Sequence, residues 1–322
     1  MRGIIMESTV QRHLKKNILS LVVPVHNEEA TINIFYNTIE KLKPNLTADV
    51  HYHFIDDGST DSTLSILRDL SKINDNIHYI SFSRNFGKEA GLYAGLQQAD
   101  GDYVAVMDVD LQDPPELLPE MLREVQNGEY DAVGTRRANR NGEAKIRSWF
   151  SEQFYTWMNK ISQTHLVDGA RDYRVMTRQM VDAILSLSEN QRFSKGIFTW
   201  VGFNTKYIPF ENRERVAGNT SWSFWSLTKY AIEGIVSFST VPLTVITVLG
   251  LLSFVLSLLS AAFIVIRALL NNNSVAGWPS MVTIVLFIGG IQLLSLGVIG
   301  RYMAAIFLET KKRPIYITKE EK

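Results

Sequence analysis

Short apolar runs alternate with polar turns and amphipathic segments over the first 120 residues of the chain. Three of these runs, at residues 18–25, 51–55 and 103–107, are rich in β-branched and aromatic side chains, which predicts buried strands. After the first two runs, apolar side chains recur at helical spacing. These predicted helical faces consist of Ile32, Phe35, Ile39 and Leu42, and of Leu64, Leu67 and Leu70. Repetition of strand, polar turn and helix predicts a doubly wound α/β sheet.

The third run ends in two carboxylates, Asp108 and Asp110, which are separated by a single residue. Two carboxylates at the end of a buried strand cannot both stay ionised and unpaired in a low-dielectric setting, so they call for a cation. Ligands that are all oxygen suit Mg²⁺ or Mn²⁺, which keep coordination positions open for substrate phosphates. The alternative is a strand-end pair that faces water.

Other acidic residues are predicted to lie at the same edge of the sheet. Glu28, Asp57 and Asp108 each follow a predicted strand, and α/β sheets bind ligands outside the carboxyl ends of their strands. The chain contains neither a GxGxxG sequence after its first strand nor a GxxxxGK[ST] sequence. Both a dinucleotide-binding fingerprint and a P-loop are therefore excluded.

The carboxyl-terminal third is apolar. The chain is 46% hydrophobic with zero formal net charge, but residues 234–266 and 268–300 contain no charged side chain. Because a bilayer span needs about 20 apolar residues, each run predicts one membrane helix, at about 241–266 and 281–308 within a membrane unit of residues 233–310. The alternative is two buried core helices, which would show polar faces at this length.

Basic residues around these two runs predict their orientation. Arg213, Arg215 and Lys229 precede the first run and Lys311 to Arg313 follow the second, whereas the connection offers only Arg267. By the positive-inside rule, both ends are expected in the cytoplasm. The absence of cysteine fits a reducing compartment. Residues 1–16 form an extension without the apolar core of a signal peptide, and residues 311–322 form a basic tail whose end, 319–322, is expected to fray.

Two aromatic-rich segments, near residues 146–162 and 222–238, have basic flanks or lead into the first apolar run. Amphipathic helices of this kind lie in the headgroup plane of a membrane, although an aromatic stripe is also common in ordinary cores. Their stripes consist of Trp149, Phe150, Phe154 and Trp157, and of Trp222, Phe224, Trp225 and Tyr230.

Taken together, the strand-end motifs resemble a known enzyme family. They are VPVHNEE at 23–29, DDGSTD at 56–61, RNFGK at 84–88 and MDVDLQDPPE at 107–116. This set is similar to the inverting family 2 glycosyltransferases of the GT-A fold, and within them to the polyprenyl-phosphate glycosyltransferases such as bactoprenol glucosyltransferases and dolichol-phosphate mannose synthases. The resemblance covers residues 17–310. It implies an α/β GT-A nucleotide-sugar-binding sheet domain at 17–232, followed by interfacial amphipathic helices and a two-helix transmembrane hairpin.

The resemblance also implies the donor site. Asp108, Asp110 and Gln112 would hold Mg²⁺ or Mn²⁺, which would neutralise charge that develops on the diphosphate leaving group. A carboxylate at Asp57 suits the N–H groups of a base, because it offers lone pairs only. His26 stands where the family commonly has tyrosine, which leaves base stacking open. The implied donor-binding residues are Pro24, His26, Glu28, Ile55, Asp57, Val109 and Gln112.

On the acceptor side, the resemblance implies cationic groups that bind a lipid phosphate, since the fork of an arginine matches phosphate oxygens. They are Arg136, Arg147 with Ser148, and Arg213; the alternative for each arginine is a solvated or lipid-facing side chain. Asp172 is implied as a catalytic base or orienting group, with an ion pair to Arg171 or Arg174 as the alternative. An ionised phosphate is already nucleophilic, so this reaction need not deprotonate its acceptor.

The sequence thus predicts an enzyme that moves a hexose, with UDP-glucose or a related UDP-sugar as donor, to polyprenyl (undecaprenyl) phosphate at the cytoplasmic face of a bacterial plasma membrane. The product would serve modification of cell-envelope glycans. Expected partners are the nucleotide sugar, the polyprenyl phosphate and the lipid bilayer. The sequence leaves open whether the protein forms a homo-oligomer, and it predicts no nucleic-acid partner. Two alternatives remain. One is a processive polysaccharide synthase, although Gln191-Arg192-Phe193 does not match its QxxRW motif; the other is a non-catalytic membrane adaptor that retains the fold.

Overall fold

A computed structural model describes residues 15–138, 156, 158–160, 166–211, 232, 234–270 and 277–322. Within these ranges the chain forms one eight-stranded sheet in the order β7-β5-β6-β4-β1-β2-β3-β8. The strands are Lys15–Val25 (β1), Asp49–Asp56 (β2), Ile77–Phe82 (β3), Gly101–Val106 (β4), Ala132–Arg137 (β5), Ala170–Thr177 (β6), Thr205–Phe210 (β7) and Thr318–Glu321 (β8). The helices are Ile32–Leu42 (α1), Thr63–Ile73 (α2), Lys88–Gln98 (α3), Leu118–Gln126 (α4), Arg178–Ser186 (α5), Ser194–Trp200 (α6), Val241–Leu270 (α7) and Trp278–Thr310 (α8).

The sheet is parallel through β3, β2, β1 and β4, and it becomes mixed where β6 pairs antiparallel with β4. This confirms the predicted α/β class, and the three strands expected from the apolar runs are β1, β2 and β4. The predicted helical faces also hold: Ile32, Phe35 and Ile39 are fully buried on α1, as is Leu67 on α2. Helices cover both faces, with α1, α2 and α4 on one cluster and α3, α5 and α6 on another.

The end of the chain is folded, so the prediction that residues 319–322 fray is wrong. β8 pairs antiparallel with the edge strand β3. Glu320 is held by the guanidinium of Arg68, with Nε to Oε1 at 2.8 Å, and by the hydroxyl of Tyr79 at 2.6 Å. These contacts explain why a charged segment without an apolar pattern forms a strand: it covers a sheet edge whose N–H and C=O groups would otherwise be unpaired.

The two apolar runs form the long helices α7 and α8. Their best candidate spans, Val241–Ser260 and Phe287–Thr310, have mean hydropathies of 2.3 and 1.7 and are not buried within the described part of the protein. By length and composition alone, both could cross a membrane. Helix α7 extends past the predicted end and contains Arg267, which was expected in the connection. The eight aromatic residues of the two predicted stripes lie outside the described residues, although residues 156, 158–160, 232 and 234–238 of the same segments are described.

A buried histidine in β2 makes the stability of the sheet domain sensitive to acid. Burial, reinforced by His78, lowers the pKa of His53 to about 3, although Asp100 opposes the shift. In the unfolded chain the imidazole of His53 therefore binds a proton near pH 6.5, whereas in the folded chain it stays neutral at that pH. The stabilising contribution is complete above pH 6.5 and falls by about 1.4 kcal/mol per pH unit as the pH drops towards 3.

We therefore expect the melting temperature of the purified protein to fall between pH 7 and pH 5, and to fall less in His53→Gln. His78 and Asp100 lie beside the His53 ring and stay unchanged in that variant, so the difference between the two curves isolates His53. Differential scanning fluorimetry at fixed ionic strength measures both curves. Parallel curves would show that His53 does not carry the effect.

Candidate active site

Four polar turns meet at the carboxyl edge of the parallel strands. They follow β1, β2, β3 and β4, and they begin at residues 26, 57, 83 and 107. The first two turns are tied together, since Asn27 Oδ1 accepts from the backbone N–H of Thr60 at 2.8 Å and Asn27 N donates to Ser59 Oγ at 2.9 Å. The residues predicted from the sequence to bind the donor all lie in or beside these turns.

Asp57 links the second turn to the third. Its carboxylate accepts the backbone N–H groups of Phe86 at 2.6 Å and Gly87 at 2.9 Å. Burial raises the pKa of Asp57, and these two N–H donors oppose that rise. Gly58 permits the approach of the turns: its φ is +65°, and a Cβ there would lie 2.4 Å from the carbonyl carbon of Arg84. Asp57 is thus oriented by backbone donors and keeps lone pairs for a ligand.

The other predicted donor residues surround Asp57 and Asp108 at different depths. His26 is exposed, and its Nδ1 lies 2.9 Å from the backbone oxygen of Asp57. Glu28 is half-buried and accepts the Thr31 hydroxyl at 2.7 Å. Pro24 and Gln112 are half-buried, whereas Ile55 and Val109 are buried. Any contact of Ile55 or Val109 with a nucleotide sugar would therefore be made by backbone atoms.

The acidic turn after β4 has a specific backbone shape. Asp110 is buried and its Oδ1 accepts the backbone N–H of Gln112 at 3.1 Å. Between them Leu111 adopts φ +55°, a left-handed conformation that costs a non-glycine residue about 1–2 kcal/mol. Such strain is typical of functional turns, where surrounding structure holds an unfavoured conformation.

Lys88, the first residue of α3, lies between two carboxylates. Its Nζ is 2.7 Å from Asp108 Oδ1 and 2.7 Å from Asp172 Oδ2. The pairing of β4 with β6 explains the arrangement: Val106 is opposite Arg174, so the same antiparallel register continued by two residues sets Asp108 opposite Asp172. Burial alone lowers the pKa of the Lys88 ammonium, but the two carboxylates outweigh it and raise that pKa above its usual value.

Asp172 is therefore paired with Lys88, and the alternative ion pair with Arg171 or Arg174 is wrong. Burial by itself raises the pKa of Asp172, but Lys88 and then Lys195 outweigh it and hold that pKa well below its usual range. Arg171 instead pairs with Asp113, with Nε to Oδ1 at 2.8 Å. Arg174 donates to backbone oxygens of residues 171 and 172, and its guanidinium lies 3.8 Å from the Phe198 ring centroid.

The donor set at this edge suits a divalent cation by type. Asp108 and Asp110 supply carboxylates, and the buried Oδ2 of Asp113 has no hydrogen-bond partner among the described residues. The described side chains do not form a ready cage of three or more His, Cys, Asp or Glu ligands. Mg²⁺ and Mn²⁺ commonly take one or two carboxylates and complete their shell with substrate phosphates and water, so the residues fit such an ion.

The acceptor residues predicted from the sequence are only partly described. Arg136 is exposed near the end of β5. It lies opposite Ala170 on β6, and Ala170 is two residues before Asp172. Arg147, Ser148 and Arg213 lie outside the described residues. Two further cations, Lys88 and Lys195, approach Asp172 but were given no role from the sequence. The signal for Lys88 was present, since it follows Gly87 in a motif at the carboxyl edge.

Comparison with known proteins identifies the family of this chain. Residues 20–185 match the model of the glycosyl transferase family 2. The bactoprenol glucosyl transferase of Shigella phage SfV is 42% identical over 94% of this chain and 99% of the relative. The prophage bactoprenol glucosyl transferase homolog of Escherichia coli strain K12 is 40% identical over the same shares. The chain belongs to glycosyltransferase family 2. It is thus a glycosyltransferase, and its mixed α/β sheet is the GT-A-like sheet expected of that family.

Two solved structures align with this glycosyltransferase at low sequence identity. A mannosyltransferase from Pyrobaculum calidifontis, in complex with GDP-Man and Mn²⁺, aligns over 92% of this chain and 87% of that chain, at 15% identity and a TM-score of 0.48. A glucosyl-3-phosphoglycerate synthase from Mycobacterium tuberculosis, in complex with Mn²⁺, UDP-Glc and phosphoglyceric acid, aligns over 68% of this chain and 78% of that chain, at 20% identity and a TM-score of 0.45.

Proposed function

We propose that this glycosyltransferase transfers glucose from UDP-glucose to polyprenyl phosphate, with inversion at the sugar C1. The relatives named above as bactoprenol glucosyl transferases support both the sugar and the lipid carrier. The observation that favours a phosphate acceptor within the site is the ion pair of Asp172 with Lys88. A hydroxyl acceptor needs a free general base, whereas a phosphate oxygen is already an anion.

In the proposed reaction, a phosphate oxygen of the acceptor forms a bond to C1 while the bond from C1 to the UDP oxygen breaks on the opposite face. Asp57 and the turn after β1 hold the nucleoside. Asp108, Asp110 and Gln112 are the residues that would hold Mg²⁺ or Mn²⁺, which would supply positive charge to the departing diphosphate. Lys88 keeps positive charge between the two facing carboxylates, and Arg136 attracts the incoming lipid phosphate.

The proposed site of reaction is the cytoplasmic leaflet, with α7 and α8 crossing the bilayer. Two observations support a position on the same side of the membrane for both ends of this hairpin. The first is that β7, which precedes α7, and β8, which follows α8, belong to the same sheet. The second is that the hydroxyl of Tyr302 on α8 donates to the backbone oxygen of Ser239, just before α7, at 2.6 Å. Lys311 to Arg313 after α8 favour a cytoplasmic position for that end.

This orientation predicts that a reporter after Lys322 and one inserted near residue 272 label on opposite sides of the membrane. A reporter pair such as alkaline phosphatase and green fluorescent protein reads each side in living cells. Cytoplasmic signals at both places would contradict the two-span hairpin.

The function is tested by incubating purified, detergent-solubilised protein with radiolabelled UDP-glucose and undecaprenyl phosphate. We expect one labelled lipid that carries a single glucose, and none when undecaprenol replaces the phosphate. A polymeric product would support the processive synthase, and no transfer from any of UDP-glucose, UDP-galactose or GDP-mannose would support the adaptor. The synthase is disfavoured by Arg192, the arginine in the fragment nearest to a QxxRW motif, because its contacts lie within the protein. Its guanidinium donates to the backbone oxygens of Leu187 and Ile184 and lies over the Tyr93 ring.

Arg136→Ala is expected to raise the Michaelis constant for polyprenyl phosphate about tenfold or more while that for the nucleotide sugar changes little. The loss corresponds to about 1.5–3 kcal/mol for a hydrogen bond to a charged group. Arg136→Lys should recover part of it, because a point charge cannot reproduce a bidentate fork. Steady-state kinetics with each substrate varied in turn measure both constants, with Arg123→Ala, an exposed arginine on α4, as the control. Equal losses for both substrates would place Arg136 at the donor instead.

A further inference from the structure

The segment after α8 packs against the strand that leads into the third polar turn. The ring of Tyr316 stacks on Phe82, the last residue of β3, with centroids 4.8 Å apart and planes at 21°. The Tyr316 hydroxyl also donates to Gln97 Oε1 on α3 at 3.0 Å. One residue beyond β3, Ser83 N donates to the backbone oxygen of Ile317 at 2.9 Å. The segment therefore contacts the start of the turn at residues 83–87 and also the helix α3 that follows this turn.

This turn carries contacts to both sides of the candidate active site. Phe86 meets the buried Phe82 edge to face, with centroids 5.8 Å apart. The backbone N–H groups of Phe86 and Gly87 are the donors that hold Asp57. Lys88, the next residue, is the cation between the carboxylates that face each other across β4 and β6. Three rings in contact, those of Tyr316, Phe82 and Phe86, thus lead from the terminal segment to the donors of Asp57.

The same segment is fixed at both of its ends. Upstream, Glu309 in the last turn of α8 accepts the backbone N–H groups of Asn190 at 2.8 Å and Gln191 at 3.1 Å. Downstream, Glu320 is held by Arg68 and Tyr79. Tyr316 therefore lies in a short connection anchored to the sheet domain on either side, which restricts its ring to the face of Phe82.

We propose that Tyr316 is a positioning residue for nucleotide binding, through which the segment after the second apolar helix supports the turn that orients Asp57. The proposal rests on the assignment of Asp57 to the donor site under the proposed function. Tyr316 does not enter the carboxyl edge itself, so its effect passes through Phe82 and Phe86. Its removal frees the amide groups of the turn and weakens nucleotide binding more than it alters use of the lipid acceptor.

The test compares Tyr316→Ala with Tyr316→Phe, which keeps the stacked ring, and with Lys319→Ala, an exposed position on β8. Hydrogen exchange of full-length protein, read by mass spectrometry on peptides that cover residues 83–88, reports the turn without any ligand. Titration calorimetry with UDP and Mg²⁺ reports the nucleotide. We expect exchange at least about tenfold faster and UDP affinity at least about fivefold weaker in Tyr316→Ala, with both values near wild type in the other two variants. Should Tyr316→Ala not fold, Tyr316→Leu takes its place.

Unchanged exchange in residues 83–88 overturns the proposal, and so does faster exchange with unchanged UDP affinity, which would limit Tyr316 to a structural role. A fall in melting temperature without either change likewise overturns it. Failure of the proposed function has a different signature. If wild-type protein binds UDP but transfers glucose to another acceptor, the exchange and affinity results still decide the role of Tyr316. If wild-type protein binds GDP and no UDP, the assignment of UDP-glucose as the donor fails, and the exchange result still decides whether Tyr316 supports the turn.

Discussion

Asp108→Asn and Asp110→Asn are each expected to lower kcat at least about a hundredfold, on the scale of losing one group that stabilises charge in a transition state. Each substitution keeps the size of the side chain and one acceptor oxygen, but it replaces the other oxygen with an N–H donor and removes the negative charge that would hold the divalent cation. Chelation with EDTA should stop transfer by the wild-type enzyme, and added Mg²⁺ or Mn²⁺ should restore it. Initial rates of lipid-linked glucose formation measure these effects.

Asp75→Asn is the matched control, because Asp75 is an exposed carboxylate in the turn between α2 and β3. Binding of Mn²⁺ in the presence of UDP, followed by electron paramagnetic resonance, separates loss of the ion from loss of folding. Near-normal turnover in either folded variant, or full activity in chelator, would refute the role of this carboxylate pair in holding a metal.

Local sequence patterns were sufficient for the parallel half of the sheet. The short apolar runs rich in β-branched and aromatic residues and the spacing of Ile32, Phe35 and Ile39 are properties of neighbouring residues, and they predicted which strands and helical faces are buried. The acidic turn at Asp108 and Asp110 followed in the same way, since a polar residue directly after a buried strand must lie at the carboxyl edge. The match of residues 20–185 to a glycosyltransferase family agrees with those motifs.

Long-range pairing decided what the sequence did not reveal. The partner of Asp172 depends on the antiparallel register of β4 with β6, which joins segments far apart in the chain. Arg171 and Arg174 are closer to Asp172 in sequence. Strand alternation directs Arg171 to the other face of β6, where it pairs with Asp113, and Arg174 packs over the Phe198 ring. β8 is a similar case: its charged residues have no strand pattern of their own, and the open edge of β3 with its Arg68 and Tyr79 partners supplies the reason to fold.

Lys88→Met is expected to lower turnover about 10- to 100-fold, from the about 1.5–3 kcal/mol of a charged hydrogen bond. The substitution leaves Asp108 and Asp172 facing each other without the ammonium that lies 2.7 Å from both. Steady-state kinetics measure the loss, and Lys206→Met, which removes a lysine paired with Glu124 away from this edge, is the control.

The double variant Lys88→Met with Asp172→Asn then assigns the role of Asp172. If Asp172 acts by holding Lys88, the second change adds little to the first, because the two residues act as one unit and their effects are not additive. Asp172→Asn alone should then leave measurable turnover, since an ionised phosphate needs no base. Fully additive losses, or an inactive Asp172→Asn enzyme that still binds both substrates, would instead make Asp172 an obligatory base. That result would also favour a hydroxyl over a phosphate as the acceptor, so the cycle tests the chemistry of the acceptor as well as the residue.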